Sequence, residues 1–369
     1  MATPHFHRLN IREIRHESPD AISLAFAVPD ELRDIYRFTA GQFLTLRTEF
    51  EGSEIRRSYS ICCGADDYEH RGELRVAIKR VDGGAFSSWA NEALAVGNAI
   101  DVMPPDGRFF TRLDPDNARH YAAFAAGSGI TPVLSIIKTT LHRERRSRFT
   151  LVYGNRRVES ILFSEELEDL KDRYLDRFTL YHVLSREHQE VELFNGRIDA
   201  AKVSAFLDTL LPATSIDEAF VCGPESMIGE VERALLGAGI EKQKIHAERF
   251  GTPRAAGAAA TRRRPPVSEA REDTANSAEV VIVADGMRRR LRVPFNGTAI
   301  LDAALGAGAD LPYACKAGVC CTCRAKVLEG EVRMDRNFTL EEHEMKQGYV
   351  LTCQSHPVTK RVVVSYDER

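Results

Sequence analysis

Apolar and polar positions along the chain change rhythm twice. Up to about residue 112 the apolar runs are short and alternating or β-branched: QFLTLRT (42–48), LRVAIKRV (74–81) and AIDVMPP (99–105), separated by Gly and Pro. Such punctuation predicts an antiparallel β-barrel. From about residue 119 apolar strands alternate with helical stretches. YAAFAA (121–126) precedes PVLSIIKTTLHRE, FTLVYG (149–154) precedes ILFSEELEDLKDRY, FTLYHVLS (178–185) runs into a polar loop, and EAFVCG (218–223) precedes MIGEVERALLGAG. Strand–helix alternation with short connections predicts a doubly wound α/β parallel sheet. Near the C-terminus, residues 278–300 predict a hairpin turning at Asp285-Gly286, ILDAALGAG a helix, and VVVSYDE a closing strand.

Between the second and third rhythms lies GTPRAAGAAATRRRPPVSEAREDTA (251–275), with one Val and no Leu, Ile, Met or aromatic residue. It cannot bury enough apolar surface to offset its ordering entropy, so it is expected to be a flexible linker. As a coil it would span about 25–30 Å. The expected division is a barrel domain over 1–112, a nucleotide domain over 113–250, the linker 251–275, and a third domain over 276–369. Fifty Lys+Arg against 54 Asp+Glu leave a net charge of −4, which removes sequence-blind nucleic-acid binding from consideration. The N-terminal residues alternate without the apolar core of a signal peptide, and no apolar run reaches membrane-spanning length. A cytoplasmic protein acting away from membranes and nucleic acid is expected.

Five of the eight cysteines lie beyond residue 314. Cys315, Cys320 and Cys323 follow C-x4-C-x2-C, and Cys353 comes after 29 intervening residues. That is the ligand spacing of a plant-type [2Fe–2S] cluster. Gly318 and Ala317 let backbone N–H groups approach the cluster sulfurs. The alternative, a structural zinc site, normally uses paired C-x2-C knuckles, and only one such pair is present. Cys321, between ligands, is expected to be a packed thiol.

The segment LPYACKAGVCCTCRAKVLEGEV with GYVLTCQS resembles the ferredoxin module of bacterial ring-oxygenase reductases, which implies an α+β, β-grasp-like domain. Arg57-Ser58-Tyr59-Ser60 resembles the R-x-Y-S motif of the ferredoxin–NADP reductase family. Its chemistry suits a flavin: a guanidinium for phosphates, a ring to stack, and a hydroxyl, Ser60, for the flavin N5. The turn GGAFSS, with Gly83, Gly84, Ser87 and Ser88, precedes a helical stretch. Small residues at a helix N-terminus make a phosphate site, and the resemblance assigns this one to the flavin pyrophosphate. FAD is expected rather than FMN. The loop CGADDYEHRGE offers Tyr68 as a stacking surface for adenine, or is simply a surface loop.

Gly127-Ser128-Gly129-Ile130-Thr131-Pro132 follows a buried strand and opens a helix. Its glycines admit a pyrophosphate, and its proline suits the first helical turn. Pro132 stands where G-x-G-x-x-G has its third glycine, a departure that matches the usual form in the ferredoxin-reductase variant; Gly127, Gly129, Thr131 and Pro132 are its binding candidates. Cys222-Gly223-Pro224 resembles the family's C-G-P turn, whose Cys lies beside the nicotinamide. Ser185-Arg186 resembles the pair that grips a 2′-phosphate, so NADPH is expected over NADH. The resemblance further implies Glu248 near Ser60 and Cys222, as the catalytic group, and Phe250 over the flavin ring.

Together these modules imply electron transfer. A nicotinamide gives two electrons as hydride, a [2Fe–2S] cluster takes one, and a flavin handles both. The expected path runs from NADPH through FAD and the cluster to an external protein, an oxygenase component with a diiron centre. A Rieske-type aromatic-ring dioxygenase is the alternative acceptor, and a redox sensor the alternative class. The third region carries 13 Lys+Arg and 12 Asp+Glu, so a docking face of mixed charge is expected.

Overall fold

The computed structural model describes residues 5–50, 52–250 and 276–368; the expected linker 251–275 lies outside the described residues. The chain divides into two compact units, one of Phe6–Phe250 and one containing the C-terminal region. Among the described residues no helix is long and apolar enough to cross a membrane.

In the first unit, β1 (His7–Ser18), β2 (Ala21–Ala27), β3 (Phe43–Phe50), β4 (Ser53–Ser60), β5 (Leu74–Lys79) and β6 (Ala99–Val102) form an antiparallel sheet of order β4-β3-β6-β1-β2-β5. A bridge between Ile61 and Val76 rolls β4 back onto β5 and closes the barrel. Leu44, Leu46, Val76 and Ile78 from the alternating runs, joined by Leu9 and Leu24 from β1 and β2, fill its interior. Two helices, α1 (Ala65–Arg71) and α2 (Ala85–Ala93), sit in the connections on either side of β5.

The same unit continues with β7 (His120–Ala126), α3 (Ile130–Arg143), β8 (Arg148–Asn155), α4 (Ser164–Arg173), β9 (Phe178–Leu184), α5 (Ala200–Thr209), β10 (Glu218–Gly223), α6 (Glu225–Gly237) and β11 (Ile245–Arg249). Strands β7 to β11 form a second sheet, all parallel, in the order β11-β10-β7-β8-β9. Each face has its own core, one built on α3 and α4 and the other on α5 and α6. The chain leaves β7 towards β8 and later returns on its other side as β10. That switch point is where open α/β sheets bind ligands, at the carboxyl ends of the strands.

Two connections differ from expectation. Residues 65–71 are helical: Gly64 N–H donates to Asp67 Oδ2 at 3.0 Å, and Gly72 ends the helix at φ 64°. α1 packs on α3, where Ala65 N–H donates to Thr139 Oγ1 at 3.0 Å and Ser135 Oγ donates to Cys63 O at 2.7 Å. Tyr68 is therefore buried, with its hydroxyl donating to Arg33 O at 2.8 Å, and offers no open face to a base. The second difference is α5, which begins where Asp199 accepts from Lys202 N–H at 2.8 Å and buries Val203, Phe206 and Leu207.

The C-terminal unit has a sheet of order β13-β12-β18-β14-β16, from β12 (Ser277–Ala284), β13 (Met287–Pro294), β14 (Arg324–Glu329), β16 (Tyr349–Leu351) and β18 (Arg361–Ser365). Helix α7 (Ile300–Gly306) covers one face. A short pair, β15 (Val332–Met334) and β17 (Ser355–Pro357), and a one-turn helix α8 (Glu342–Lys346) complete it. The hairpin turns at Asp285 and Gly286, with φ 50° and 72°. Two positive φ angles are what a two-residue hairpin turn requires. The closing strand β18 runs parallel to β12 at the centre of the sheet.

Candidate functional site

The cysteine loop lies between α7 and β14. Cys320, Cys323 and Cys353 are buried and Cys315 is partly exposed, and none of the four is in a disulfide. Their sulfurs converge as two pairs, Cys315 with Cys320 and Cys323 with Cys353. In the first pair the Cys320 thiol, helped by the N–H groups of Ala317, Val319 and Cys320, holds the Cys315 thiol down to about 6 against its burial. In the second, the Cys323 thiol lowers Cys353. Cys320 and Cys323, as donors in buried surroundings, are pushed well up. Two pairs of thiols under backbone donors suit two irons, each held by two thiolates. Cys321 stands apart at φ 58°, with its thiol donating to Thr339 Oγ1 at 3.0 Å.

In the barrel, Arg57, Ser58, Tyr59 and Ser60 end β4. Ser58 shares a hydrogen bond of 3.3 Å with Thr45, Arg57 Nη1 donates to Arg56 O at 2.7 Å, and Ser60 is buried. The Tyr59 ring lies 5.7 Å from that of Phe86, in the first turn of α2, so the strand motif and the glycine turn meet. Burial pushes the Tyr59 phenol up, and it stays neutral. Gly83 has φ 71° with open space where a side chain would stand. A Cβ on Gly84 would lie 2.6 Å from Ser87 Oγ, whose hydroxyl is engaged with Gly84 O at 3.2 Å and Val81 N at 3.1 Å. Ser87 is thus committed to the turn, and what it offers a phosphate is its backbone N–H. The first-turn N–H groups of α2 lack partners within the helix, as a phosphate cradle needs.

At the switch point, Gly127 has φ 53° and open space beside it. A side chain on Gly129 would collide with the carbonyl of Cys222, so the G-S-G-I-T-P turn and the C-G-P turn pack backbone to backbone. Thr131 Oγ1 donates to Ser128 O at 3.0 Å, and Pro132 is buried in the first turn of α3. Cys222 pairs in register with Ala125 on one side and Glu248 on the other. Burial, and then the Glu248 charge, push its thiol well up. Cys222 is therefore a neutral packing surface and hydrogen-bond donor, not a thiolate nucleophile. A Cβ on Gly223 would lie 2.7 Å from Met227 Cε, and Pro224 caps α6. Phe250 is 39% exposed just beyond β11. The structure thus joins Cys222 to Glu248, whereas Ser60 stands on the separate barrel sheet.

Beyond β9, Ser185 N–H donates to Asn155 O at 3.0 Å and Arg186 N–H to Arg156 O at 2.8 Å. Arg156, Arg157 and Arg186 are all exposed there. Glu187 accepts from Val158 N–H at 2.9 Å. Sequence reading missed the two further arginines, because only the hydrogen bonds between the ends of β8 and β9 bring them beside Arg186; the run Asn155-Arg156-Arg157 after a strand was the available signal.

Three family models match the chain: the oxidoreductase FAD-binding domain over residues 8–110, the oxidoreductase NAD-binding domain over 124–233, and the 2Fe-2S iron-sulfur cluster binding domain over 282–358. The chain is 43% identical over 364 residues to a subunit of the 1,2-phenylacetyl-CoA epoxidase of Escherichia coli (strain K12), covering 99% of this chain and 98% of that protein. It is 36% identical to the ferredoxin reductase component of 3-ketosteroid-9-alpha-monooxygenase from Rhodococcus rhodochrous, covering 97% and 96%. Among solved structures, phthalate dioxygenase reductase shares the fold with a TM-score of 0.59 at 24% identity, covering 98% of each chain. FAD, a nicotinamide dinucleotide and a [2Fe–2S] cluster are the cofactors of this oxidoreductase, and its chemistry is electron transfer among them.

Proposed function

Because the chain belongs to the flavin and iron–sulfur reductase components that serve oxygenases, we propose that it draws electrons from NADPH and delivers them to the oxygenase component of a phenylacetyl-CoA epoxidase, a diiron protein, in the cytoplasm. Bound flavin divides a hydride into the single electrons that a [2Fe–2S] cluster accepts, and that chemistry belongs to the cofactors.

The protein binds and orients. Arg57, the Gly83-Gly84 turn and the first turn of α2, with Ser87 and Ser88, hold the flavin phosphates. Ser58, Tyr59 and Ser60 line its ring, and Phe250 covers it. Gly127, Gly129, Thr131 and Pro132 receive the dinucleotide pyrophosphate, while Cys222, Gly223, Pro224 and Glu248 meet the nicotinamide. Ser185 and Arg186, with Arg156 and Arg157, hold the 2′-phosphate, where guanidinium groups suit a dianion. Cys315, Cys320, Cys323 and Cys353 ligate the cluster. The barrel domain is 1–112, the nucleotide domain 113–250 and the ferredoxin domain 276–369, with 251–275 as linker.

The observation that carries the acceptor is the 43% identity across 99% of the chain. The test mixes the purified protein with a diiron phenylacetyl-CoA epoxidase oxygenase component and measures epoxide formed per NADPH consumed, with NADH in parallel. Near-stoichiometric coupling with NADPH is expected. NADPH oxidation without epoxide would overturn the acceptor and turn attention to Rieske-type oxygenases; equal use of NADH would overturn the donor preference.

A further inference from the structure

Gln354 follows the fourth cysteine, and its side chain turns back over the cysteine loop. Its Nε2 donates to Cys353 O at 3.0 Å and Lys316 O at 3.1 Å and lies 3.5 Å from Cys353 Sγ. The stem also packs on the loop: a Cβ on Gly318 would lie 3.2 Å from Gln354 Cγ and 3.1 Å from Arg336 O. Gly318, at φ 77°, is held between the two. Gln354 is itself anchored, because Asp335 N–H donates to Gln354 O at 2.9 Å.

The contact with Lys316 O has a consequence across the peptide plane. In a trans peptide the C=O of one residue and the N–H of the next point in opposite directions. Pinning Lys316 O outward therefore turns the Ala317 N–H inward, where it donates to Cys315 Sγ at 3.3 Å. The same arrangement repeats one turn on, where Phe338 N–H takes Gly318 O at 3.1 Å and the Val319 N–H faces Cys315. Gln354 thus reaches one sulfur of each cysteine pair, Cys353 directly and Cys315 through a peptide.

We propose that Gln354 is a positioning residue that raises the reduction potential of the [2Fe–2S] centre by orienting the Ala317 N–H onto Cys315 and by holding the positive end of its own amide dipole 3.5 Å from Cys353 Sγ. Reduction adds one electron, with no bond made or broken, and the added negative charge spreads over the sulfurs. Donors aimed at those sulfurs stabilise the reduced form more than the oxidised one. The proposal rests on the ligand set given above and is independent of donor and acceptor identity.

The test is a redox titration of the full chain with dithionite and mediators, following the electron paramagnetic resonance signal of the reduced cluster and counting iron and sulfide. Gln354→Leu keeps the packing stem and lacks the amide; Gln354→Glu keeps the length and reverses the donor. Gln354→Leu is expected to shift the equilibrium roughly tenfold towards the oxidised cluster, about 59 mV for one electron. Gln354→Glu is expected to shift it further in the same direction, while the flavin potential stays fixed in both. Unmoved potentials beside a normal wild-type signal would overturn the proposal alone, as would variants that lose iron but keep the wild-type potential in the remainder. A wild-type protein without the two-iron signal would overturn the ligand set and this proposal together.

Discussion

Gly129 has no room for a side chain against the Cys222 carbonyl, so a single methyl must push the dinucleotide turn away from the C-G-P turn. Gly129→Ala is expected to raise KM for the nicotinamide substrate by roughly tenfold or more while leaving iron content unchanged, as steady-state kinetics would show. At the ends of β8 and β9, Arg186→Ala and Arg156→Ala should each weaken NADPH by roughly tenfold, about the value of one charge-assisted hydrogen bond, with NADH kinetics unaffected. A change shared equally by both donors would argue against a 2′-phosphate role. His120, 9% exposed, has its imidazole held down to about 4 by burial and then by the Arg148 charge, while its ring meets Thr150 at 2.8 Å and Ser215 at 3.2 Å. The unfolded chain binds this proton from pH 6.5 downward and the fold resists it to about 4, so stability should fall as pH drops through that window. Urea midpoints at pH 7 and pH 5 should differ less in His120→Gln than in the parent. Arg57, Tyr59 and Cys222 stand out as candidates in the chain because each sits in a short contiguous motif, and the four cysteines because of their spacing. Arg156, Arg157 and Gln354 do not, since their partners come from other strands and loops.

At the scale of elements, sequence pattern was most informative where burial is one-sided and least where a helix serves as a connector. The runs at 42–48, 74–81 and 99–105 all became barrel strands, because alternation leaves only one face able to meet the core. Residues 65–71 read as a loop, yet α1 forms because Asp67 and Gly72 cap it and because α3 offers Thr139 and Ser135 to its backbone. α5 was missed in a polar stretch, although Asp199 at its N-cap and the buried Val203, Phe206 and Leu207 mark it in retrospect. Asp199→Ala should cost about 1 kcal/mol through the lost cap. Thermal melts should show the loss, with the NADPH kinetics unchanged.

The whole molecule is a sequence of two-electron and one-electron sites. Cys320→Ser should therefore remove the cluster's visible absorbance and abolish delivery to an oxygenase acceptor, while NADPH still bleaches the flavin in stopped flow. Loss of both reactions would mean that the cluster supports the flavin unit itself. What the chain alone determined is the set of parts: a barrel rhythm, a strand–helix rhythm, a four-cysteine spacing, and glycine turns at helix starts. Local periodicity and short motifs depend on neighbours a few residues away, so they survive in one dimension. Only the folded chain decided that Gly129 must lie on the Cys222 carbonyl and that Tyr68 is packed away rather than free to stack. It also decided that the Arg186 backbone pairs with that of Arg156 and that Gln354 covers the cysteine loop. These are contacts between strands and loops distant along the chain, created by strand register and backbone approach, and no local pattern encodes them.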